Sequence, residues 1–314
     1  MKWATYPSLK SYLDYHCYSR EIGDVDPSYS MLRYICDRYE LNNEQRYWLA
    51  YLYSTCYCGA TTFFIYNEFP DWENVDFGRA ERWWTANRDK VVFQTDRRWV
   101  RSRNQWVQMI RSYSQKVRPL TQEGYLAGYI VPRDPFLTWK MLADEASTWF
   151  QMGRFGLWLY TEALHVVTGY PAEPSSMLMK DAESCRNGLA MAIGRPDLNT
   201  HGSTGARLRL ADYRYLQGAF NEVVAELRRV DPGSNVWNIE TTLCAYKKYH
   251  LGKRWPGYYI DRQHDEIAKA QAAVVNGVDW SVLWDYRRET FRREHLREFP
   301  NSSYIENDIT VGAI

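Results

Sequence analysis

No charged residue interrupts the 21-residue stretch Tyr47-Trp-Leu-Ala-Tyr-Leu-Tyr-Ser-Thr-Cys-Tyr-Cys-Gly-Ala-Thr-Thr-Phe-Phe-Ile-Tyr-Asn67. Its length would suit a membrane span, but five Tyr, four Ser or Thr and a Gly leave it with little Leu or Ile. Asn42 or Asn43 stands just before it, in a position to cap a helix, and Gly59 interrupts it. The stretch therefore predicts a buried helix that breaks near Gly59, in a protein that does not enter a membrane.

The chain on either side of this stretch has the pattern of helices as well. Apolar residues recur three and four positions apart, and the strict alternation typical of strands is rare. With 45% hydrophobic and 25% charged residues, the composition excludes a disordered or fibrous chain. We therefore predict an all-α, multi-helix globular fold. Asp26-Pro27 should open one helix, and further helices are expected near residues 76–89, 102–116, 135–151, 153–167, 175–192, 206–229, 235–249, 262–275 and 279–298.

Turn-forming residues divide this helical chain. The Pro-Arg-Asp-Pro run at 132–135 is the main break, so one helical domain, 1–314, is expected with two lobes, 1–133 and 134–299. Residues 300–314 are polar and are expected to form a tail. Gly194–Gly205 is dense in turn formers, and a loop of this length is usually either mobile or functional.

Six cysteines, at positions 17, 36, 56, 58, 185 and 244, are sparse for a chain of 314 residues, and no secretory signal begins it. Reduced thiols in a cytosolic protein are therefore expected. Cys56-Tyr-Cys58 is too closely spaced for a structural zinc site, and the six His show no ligand spacing. The sequence predicts no metal site.

Charge is concentrated in one part of the chain, although the formal net charge is only +1. Residues 1–78 contain 6 basic and 11 acidic side chains, whereas residues 79–118 contain 11 basic and 3 acidic ones. Arg accounts for 29 of the 39 basic residues, and 16% of the chain is aromatic. Because Arg matches phosphate oxygens two at a time and aromatic rings offer stacking surfaces, a nucleic-acid or phosphate ligand is indicated.

The densest part of this block is Gln94–Trp106, called the basic segment below. Four Arg and two Trp within thirteen residues suit contacts to backbone phosphates and stacking on bases. The alternative is a solvated helix start that is capped by Asp96. The candidate phosphate ligands are Arg97, Arg98, Arg101 and Arg103, and the candidate stacking residues are Trp99 and Trp106.

A second group of polar residues lies within Asn238–His250. On a helix, Glu240, Cys244 and Lys247 or Lys248 share one side, at spacings of four and three or four. A carboxylate, a thiol and an ammonium on one face could activate an amine nucleophile and bind an anionic leaving group. The alternative is a Glu–Lys helix pair beside a buried Cys.

A third segment, Arg254–Arg262, combines Pro-Gly with three aromatic residues. It predicts a stiff turn, which is either a structural corner with Asp261 as the cap of the next helix or a base-stacking wall. In the second case Tyr258 and Tyr259 would form the wall, beside Arg262.

Gly153-Arg154-Phe155-Gly156 is the remaining candidate for phosphate binding, since its glycines would let backbone approach an anion. It is not a P-loop, which requires Gly-Lys followed by Ser or Thr. The chain also contains no Gly-x-Ser-x-Gly and no His-Glu-x-x-His motif.

Several of these segments together resemble a known family. The segments are Tyr34-Ile-Cys-Asp-Arg-Tyr-Glu-Leu-Asn-Asn-Glu-Gln-Arg46-Tyr-Trp-Leu-Ala50, Tyr66-Asn-Glu-Phe-Pro70, Phe93-Gln-Thr-Asp96-Arg97-Arg98-Trp99 and Glu240-Thr-Thr-Leu-Cys244. They are similar to segments of the bacteriophage amino acid:DNA transferases, also described as α-glutamyl/putrescinyl thymine pyrophosphorylases. The similarity runs from about residue 8 to about residue 290.

The resemblance implies an all-helical catalytic domain similar to DNA glycosylases of the helix-hairpin-helix kind, although this sequence has no clear Gly-hydrophobic-Gly hairpin. It implies a transferase that acts on phage DNA in which 5-hydroxymethyluracil has been pyrophosphorylated by a DNA kinase. An amine, from an amino acid such as glycine or from a polyamine, displaces pyrophosphate at the exocyclic methylene carbon. The expected partners are modified phage DNA, the amine and the phage DNA kinase, in the cytoplasm of the infected bacterium.

This chemistry suggests roles for the candidate residues. An enzyme that alters one base in a duplex usually flips it out, which suits aromatic walls and Arg side chains that grip phosphate. The attacking amine must lose a proton, and Glu240 is the expected base, with Asp96 and Asp261 as alternatives. The expected pyrophosphate and DNA phosphate ligands are Arg97, Arg98, Arg101, Arg103, Lys247, Lys248 and Arg262. Arg46 or Arg154 would hold the carboxylate of an amino-acid substrate.

No cofactor is expected, and a divalent ion that accompanies pyrophosphate is left open. Two other functions are left open as well. One is a helical DNA glycosylase, in which a carboxylate supports cleavage of the bond between sugar and base. The other is a non-catalytic DNA-binding partner of a phage 5-hydroxymethyluracil DNA kinase.

Overall fold

A computed structural model describes residues 6–102, 104–200 and 208–296, with the backbone alone at residues 95 and 96. Within these ranges the fold has fourteen α-helices, three 3-10 helices and no strand, so the predicted all-α fold is confirmed. The α-helices are, in chain order, α1 (Leu9–Glu21), α2 (Ser28–Arg38), α3 (Asn43–Cys56), α4 (Gly59–Glu68), α5 (Phe77–Asn87), α6 (Gln105–Val117), α7 (Gln122–Ala127), α8 (Pro135–Ala146), α9 (Arg154–Thr168), α10 (Glu183–Ala192), α11 (Leu210–Val230), α12 (Val236–His250), α13 (Tyr258–Ala273) and α14 (Ser281–Thr290). The 3-10 helices are Thr95–Arg101, Pro196–Leu198 and Arg293–His295. None of the helices in the described ranges is both long and apolar enough to cross a bilayer.

The chain divides into two compact units, each built from two separate parts of the sequence. Unit 1 comprises Met1–Asp26 and Pro174–Ile260, and unit 2 comprises Pro27–Glu173 and Asp261–Ile314. The lobes 1–133 and 134–299 group the chain differently and stay a prediction. Because each unit is discontinuous, its core is closed by helices that are far apart in sequence.

The core of unit 2 forms around the uncharged stretch, which is a helix pair as predicted. α3 is buried from Trp48 to Cys56, and α4 from Gly59 to Tyr66. Between the two helices Tyr57 has left-handed backbone, with a φ of 51°, which ends α3. α3 packs on α9, α4 and α2, so the central helix of the unit is apolar or aromatic over most of its surface.

Tyrosine suits this core because its ring packs against other rings while its hydroxyl forms a hydrogen bond. The rings of Tyr51 and Tyr113 stack with centroids 3.8 Å apart, and the Tyr51 hydroxyl donates to the Met109 carbonyl at 2.7 Å. Trp84 and Trp106 stack in the same unit with centroids 4.9 Å apart. Much of the aromatic surplus of the sequence is therefore core.

Local capping signals explain where several helices begin. Asn42 caps α3 in a reciprocal capping box with Gln45, as the sequence predicted. α2 begins directly after Pro27, also as predicted. α10, in contrast, begins at Glu183 and not near residue 175, because Arg186 Nη1 donates to the Met179 carbonyl at 2.6 Å and holds the preceding residues in an irregular conformation.

Unit 1 is organised around α12, which packs against α1 and α10. His16 of α1 is fully buried, and its two ring nitrogens hydrogen-bond with Thr242 Oγ1 at 2.8 Å and Ser234 Oγ at 3.0 Å. Burial, reinforced by the positive charge of Arg20, lowers the pKa of His16 to about 4. The α1–α12 contact therefore requires a neutral imidazole.

α10 and α12 approach each other more closely than side chains would normally permit. A Cβ atom on Gly188 would lie 2.1 Å from the carbonyl oxygen of Leu243, so only glycine fits at this crossing. The contact places the first turn of α10 next to the middle of α12.

The start of α13 corrects one prediction. Asp261 is not its cap, because the helix begins three residues earlier, at Tyr258. The buried carboxylate of Asp24 accepts the backbone N–H groups of Gly257 at 2.7 Å and Tyr259 at 2.7 Å. A side chain from the first part of unit 1 thus takes the place of a local cap.

Acid should destabilise the protein through His16. The unfolded imidazole binds a proton near pH 6.5, whereas the folded one does so only near pH 4, so stability is complete above pH 6.5 and is lost as the pH falls toward 4. Over that window we expect a loss of roughly 2–3 kcal/mol from this group. Urea unfolding at pH 7 and pH 4.5 should show a smaller pH-dependent loss in His16→Asn than in wild type, and equal losses would contradict the assignment.

The helix crossing should tolerate no side chain at Gly188. Gly188→Ala should lower the free energy of unfolding by roughly 1–3 kcal/mol, because the new methyl group meets backbone that cannot move aside. Gly218→Ala is the matched control: this glycine lies in α11 with no atom within 4 Å of an added Cβ, so alanine should stabilise by roughly 0.5–1 kcal/mol. Denaturant melts of both variants measure the difference, and an equal effect of the two substitutions would contradict the close crossing.

Candidate functional site

The basic segment of unit 2 folds as the 3-10 helix Thr95–Arg101 followed by the start of α6. Arg97 is buried, with its Cζ 5.8 Å from the ring centre of Trp99 and 5.9 Å from that of Phe155. A Cβ on Gly156 would lie 2.0 Å from Arg97 Nη2, so this glycine makes room for the guanidinium. Arg97 is therefore a packing cation that ties the 3-10 helix to the start of α9.

The exposed part of the basic segment is Arg98 and Trp99. Arg98 is half-buried. Trp99 is 37% exposed, more than any other Trp in the described ranges. Arg101 is half-buried, donates from Nη2 to the Val91 carbonyl at 2.6 Å and lies over Phe93. Of the described anion-ligand candidates in this segment, Arg97 lies against the Trp99 ring but is buried, whereas Arg98 is half-buried and directly precedes Trp99 in the chain.

Trp106 is a correction to the predicted stacking residues. Its side chain is fully buried, and its ring stacks on Trp84, so no face is left for a base. The side chain of Asp96 and the whole of Arg103 lie outside the described residues.

The two Arg residues predicted to bind an amino-acid carboxylate, Arg46 and Arg154, make different contacts in unit 2. Arg46 donates to the Leu41 carbonyl at 2.9 Å, to the Val167 carbonyl at 3.3 Å and to Asp37 at 2.7 Å. Its guanidinium is thus engaged on every nitrogen in holding the chain, and a substrate carboxylate would have to displace these bonds. Arg154 begins α9 and lies over the Trp158 ring at 5.0 Å, half-buried.

Two predicted residues of unit 2 lie in the first turns of α13. Asp261 is buried, and Arg262 Nε lies 3.2 Å from Glu266 Oε1 in a mostly buried ion pair. The positive charge of Arg262 is therefore largely compensated within its own helix.

The thiol face of α12, in unit 1, comprises Glu240, Cys244, Lys247 and Lys248. The helix forms as predicted, with Asn235 as its cap, and it presents the four residues on one side. Glu240 and Lys247 are buried, at 7% and 2% exposure, whereas Cys244 and Lys248 are half-buried. The Cys244 thiol is thus flanked along its helix by a carboxylate and two ammonium groups.

Cys244 has neighbours that the sequence did not predict. Its sulfur lies 3.1 Å from Ser184 Oγ, and the Cys185 thiol hydrogen-bonds to it. These two residues form the first turn of α10, which has no side-chain cap, so the positive end of a helix dipole faces the sulfur. The hydrogen bond from Cys185, aided by the charges of Arg254 and Lys248, lowers the pKa of Cys244 well below the ordinary thiol value, against the opposing effect of burial.

Arg254 is a further residue whose role the sequence did not indicate. Its Cζ lies 4.5 Å from the ring centre of Tyr258 and 4.8 Å from that of Tyr259, and Nη1 donates to the Tyr259 hydroxyl at 2.5 Å. Tyr259 is buried and its ring is covered by this guanidinium, which corrects its prediction as a base-stacking residue. Tyr258 is half-buried and stays a candidate.

Among the described residues, no three His, Cys, Asp or Glu side chains lie together in an arrangement that could hold a metal ion. The side chains that the basic segment and the thiol face present are cations, aromatic rings, a carboxylate and a thiol. Unit 2 carries the half-buried Arg98 next in sequence to the exposed Trp99, and unit 1 carries a thiol with a lowered pKa on the same helix face as a carboxylate and two ammonium groups.

Within the described ranges this is thus an all-α protein with an Arg- and Trp-containing 3-10 helix in unit 2 and a charged thiol face on α12 in unit 1. The chain belongs to the amino acid:DNA transferase family, whose sequence model matches residues 20–254. It is 29% identical over 262 residues to a serinyltransferase of Salmonella phage ViI, a match that covers 78% of this chain and 63% of that protein. The chain thus spans less than two thirds of the length of this relative. No solved structure matches the chain significantly.

Cys244 should react faster with iodoacetamide than Cys17, which is also half-buried in unit 1 and whose pKa is raised by burial. At pH 7 we expect at least a roughly tenfold difference in alkylation rate, because only the thiolate attacks. Peptide mass spectrometry at intervals measures both sites in one sample. Between pH 7 and 9.5 the Cys17 rate should rise more steeply than the Cys244 rate, and a parallel rise at both sites would contradict the lowered pKa.

Proposed function

We propose that this protein joins an amine to the exocyclic methylene carbon of pyrophosphorylated 5-hydroxymethyluracil in phage DNA and releases pyrophosphate. Membership of the amino acid:DNA transferase family supports the transfer of an amino acid to DNA. The observation that carries the chemical part of the proposal is the thiol face of α12, where a carboxylate and two ammonium groups share one side of a helix.

The leaving group in this reaction is pyrophosphate, which gathers negative charge as its bond to carbon breaks. Lys247 is 2% exposed, and within the described ranges its ammonium forms no ion pair. The ammonium group at the end of this largely buried side chain could take a phosphate group of the substrate as its counter-ion. Lys248 and Arg254, nearer the surface of unit 1, add to the positive potential that would stabilise the leaving group.

The attacking amine is protonated at neutral pH and must lose a proton before or during attack. Glu240 is the carboxylate of the thiol face, and it lies two turns from Lys247 on the same helix. We assign it the role of general base. Asp261, buried in unit 2, and Asp96 stay alternatives for this role.

DNA would be held in part by the exposed end of the basic segment. Arg98 supplies a guanidinium for backbone phosphate, and the accessible Trp99 ring supplies a stacking surface for a flipped or neighbouring base. Arg97 and Arg101 support this surface from beneath, while Arg103 stays a predicted phosphate ligand. Arg46, whose guanidinium nitrogens donate to protein oxygens, and Arg154 stay the two candidates for holding an amino-acid carboxylate.

The remaining parts of the proposal concern where the substrate comes from. A pyrophosphorylated base requires a kinase that acts on hydroxymethyluracil in DNA, so a phage DNA kinase is the proposed supplier. The reaction would take place in the cytoplasm of the infected host. The similar protein of Salmonella phage ViI is a serinyltransferase, so serine is one candidate amine here beside glycine and polyamines.

The decisive experiment supplies pyrophosphorylated 5-hydroxymethyluracil DNA together with a panel of amines and examines the nucleosides by mass spectrometry. Wild-type protein should replace pyrophosphate by one of the amines. Glu240→Gln should lower the turnover by about 10²-fold or more, because the amine loses its base, while DNA affinity stays within about twofold. Glu226→Gln, which changes a Glu on α11 in the same unit, is the matched control and should behave as wild type.

Other results would contradict the proposal in distinct ways. Abasic sites in place of an amine adduct would identify a glycosylase. Salt-sensitive DNA binding with pyrophosphate left in place for every amine would identify a binding partner of the kinase. Unchanged turnover in Glu240→Gln would remove Glu240 from the role of base and leave the transfer itself intact.

A further inference from the structure

Cys244 is the only thiol on the thiol face, and it has no role in the amine transfer as described above. Cys36, Cys56 and Cys58 are fully buried in unit 2, and burial raises the pKa of each thiol, as expected of structural cysteines. Cys244 differs in that it is partly exposed and surrounded by groups that favour its anion. A partly exposed cysteine with a lowered pKa, held 3.1 Å from Ser184 Oγ at the crossing of α10 and α12, calls for a chemical explanation.

The residues around the Cys244 sulfur come from separate elements of unit 1. Ser184 and Cys185 approach it from the uncapped first turn of α10, Lys248 follows it by one helical turn, and Arg254 lies beyond the end of α12. The tight crossing at Gly188 fixes this arrangement, because it sets the distance between the two helices. Hydrogen bonds, a helix N-terminus and two cations are the features that distinguish catalytic from structural cysteines.

The substrate of the proposed function has a carbon that suits attack by such a thiolate. In a pyrimidine with a C4 carbonyl, C6 is the electrophilic end of a conjugated double bond. Addition of a nucleophile at C6 turns the ring into an enolate, and its electrons can expel a leaving group from the methylene carbon attached to C5. Covalent addition would thus divide one difficult displacement into easier steps.

Resting on the proposed function, we propose that Cys244 is the covalent nucleophile and that its sulfur adds to C6 of the target pyrimidine before pyrophosphate departs. A bond forms between Sγ and C6, and the electron pair of the C5–C6 double bond moves into the C4 enolate. The enolate then forms a double bond from C5 to the exocyclic carbon, and pyrophosphate leaves with the electrons of the C–O bond.

The second half of the reaction restores the ring and the enzyme. The amine nitrogen adds to the exocyclic methylene carbon, gives up a proton to Glu240, and returns an electron pair to the enolate. The enolate re-forms the C5–C6 double bond and expels the Cys244 thiolate. No oxidant or reductant takes part, since the only net change is the exchange of pyrophosphate for the amine.

The first test is amine transfer in single-turnover reactions of Cys244→Ala and Cys244→Ser. Both should be slower than wild type by at least about 10³-fold, because neither side chain supplies a thiolate. Cys17→Ala is the matched control, a half-buried cysteine of the same unit, and should keep wild-type activity. Circular dichroism and thermal unfolding establish that the variants are folded, and alkylation of Cys244 in the wild-type protein should reproduce the loss without any substitution.

The second test detects addition at C6 without any transfer of an amine. DNA that carries deoxyuridine at the target position is incubated with the protein in deuterated water. Addition of sulfur to C6 makes C5 basic, so C5 takes up deuterium and loses hydrogen when the thiolate departs. Mass spectrometry of the nucleosides should show deuterium at C5 with wild type and Cys17→Ala, and none with Cys244→Ser.

The outcomes separate this inference from the proposed function. Transfer within tenfold of wild type in folded Cys244→Ala or Cys244→Ser overturns the nucleophile and leaves the function standing. Transfer that depends on Cys244 without any exchange at C5 also overturns it and makes Cys244 a positioning residue. Exchange that depends on Cys244, in a protein that transfers no amine, supports the nucleophile while the proposed function fails.

Discussion

The close contact of α10 and α12 at Gly188 is the constraint on which the organisation of unit 1 depends. Two helices whose backbones meet at one glycine have little freedom to slide or rotate past each other. The first turn of α10 is thereby held next to Cys244, while the opposite side of α12 carries Thr242 to the buried His16. One helix thus has a structural face and a chemical face, and a single close approach aligns both.

Unit 2 shows how a chain rich in Arg and aromatic residues can use them for packing as well as for ligands. Arg97 lies over Phe155 and Arg101 over Phe93, each with a planar guanidinium against a ring. Such pairs help a basic segment to pack onto an aromatic core. Part of the Arg and aromatic content that indicated a phosphate ligand is therefore explained by packing, while Arg98 and Trp99 stay candidates for binding.

Sequence reasoning was accurate where the cause of structure is local. The uncharged stretch, its break near Gly59 and the capping box at Asn42 follow from residues within one or two turns of each other. The helical spacing of Glu240 and Cys244 likewise required nothing beyond α12. α1 gave no comparable signal, because much of its buried face is polar and includes His16.

The failures have a common physical origin in contacts between distant parts of the sequence. Asp24 rather than Asp261 satisfies the start of α13, from 233 positions away in the chain. Trp106 follows an Arg-rich run, and its burial against Trp84 is visible only once α5 and α6 pack together. Ser184 contacts Cys244 although the two residues are 60 positions apart in the chain. The sequence hinted at this contact only through Gly188, a glycine inside a helical pattern.

The discontinuity of unit 1 has a consequence for how the chain reaches its folded state during translation. α1 is synthesised more than two hundred residues before α12, the helix that buries Tyr12 and His16. While the ribosome produces the whole of the first part of unit 2, α1 has no partner, and its polar face offers little to hydrophobic collapse. Contacts of such long sequence separation form late and slowly. The surroundings that lower the pKa of Cys244 would thus be assembled at the end of synthesis, so an incomplete chain carries the cysteine without them.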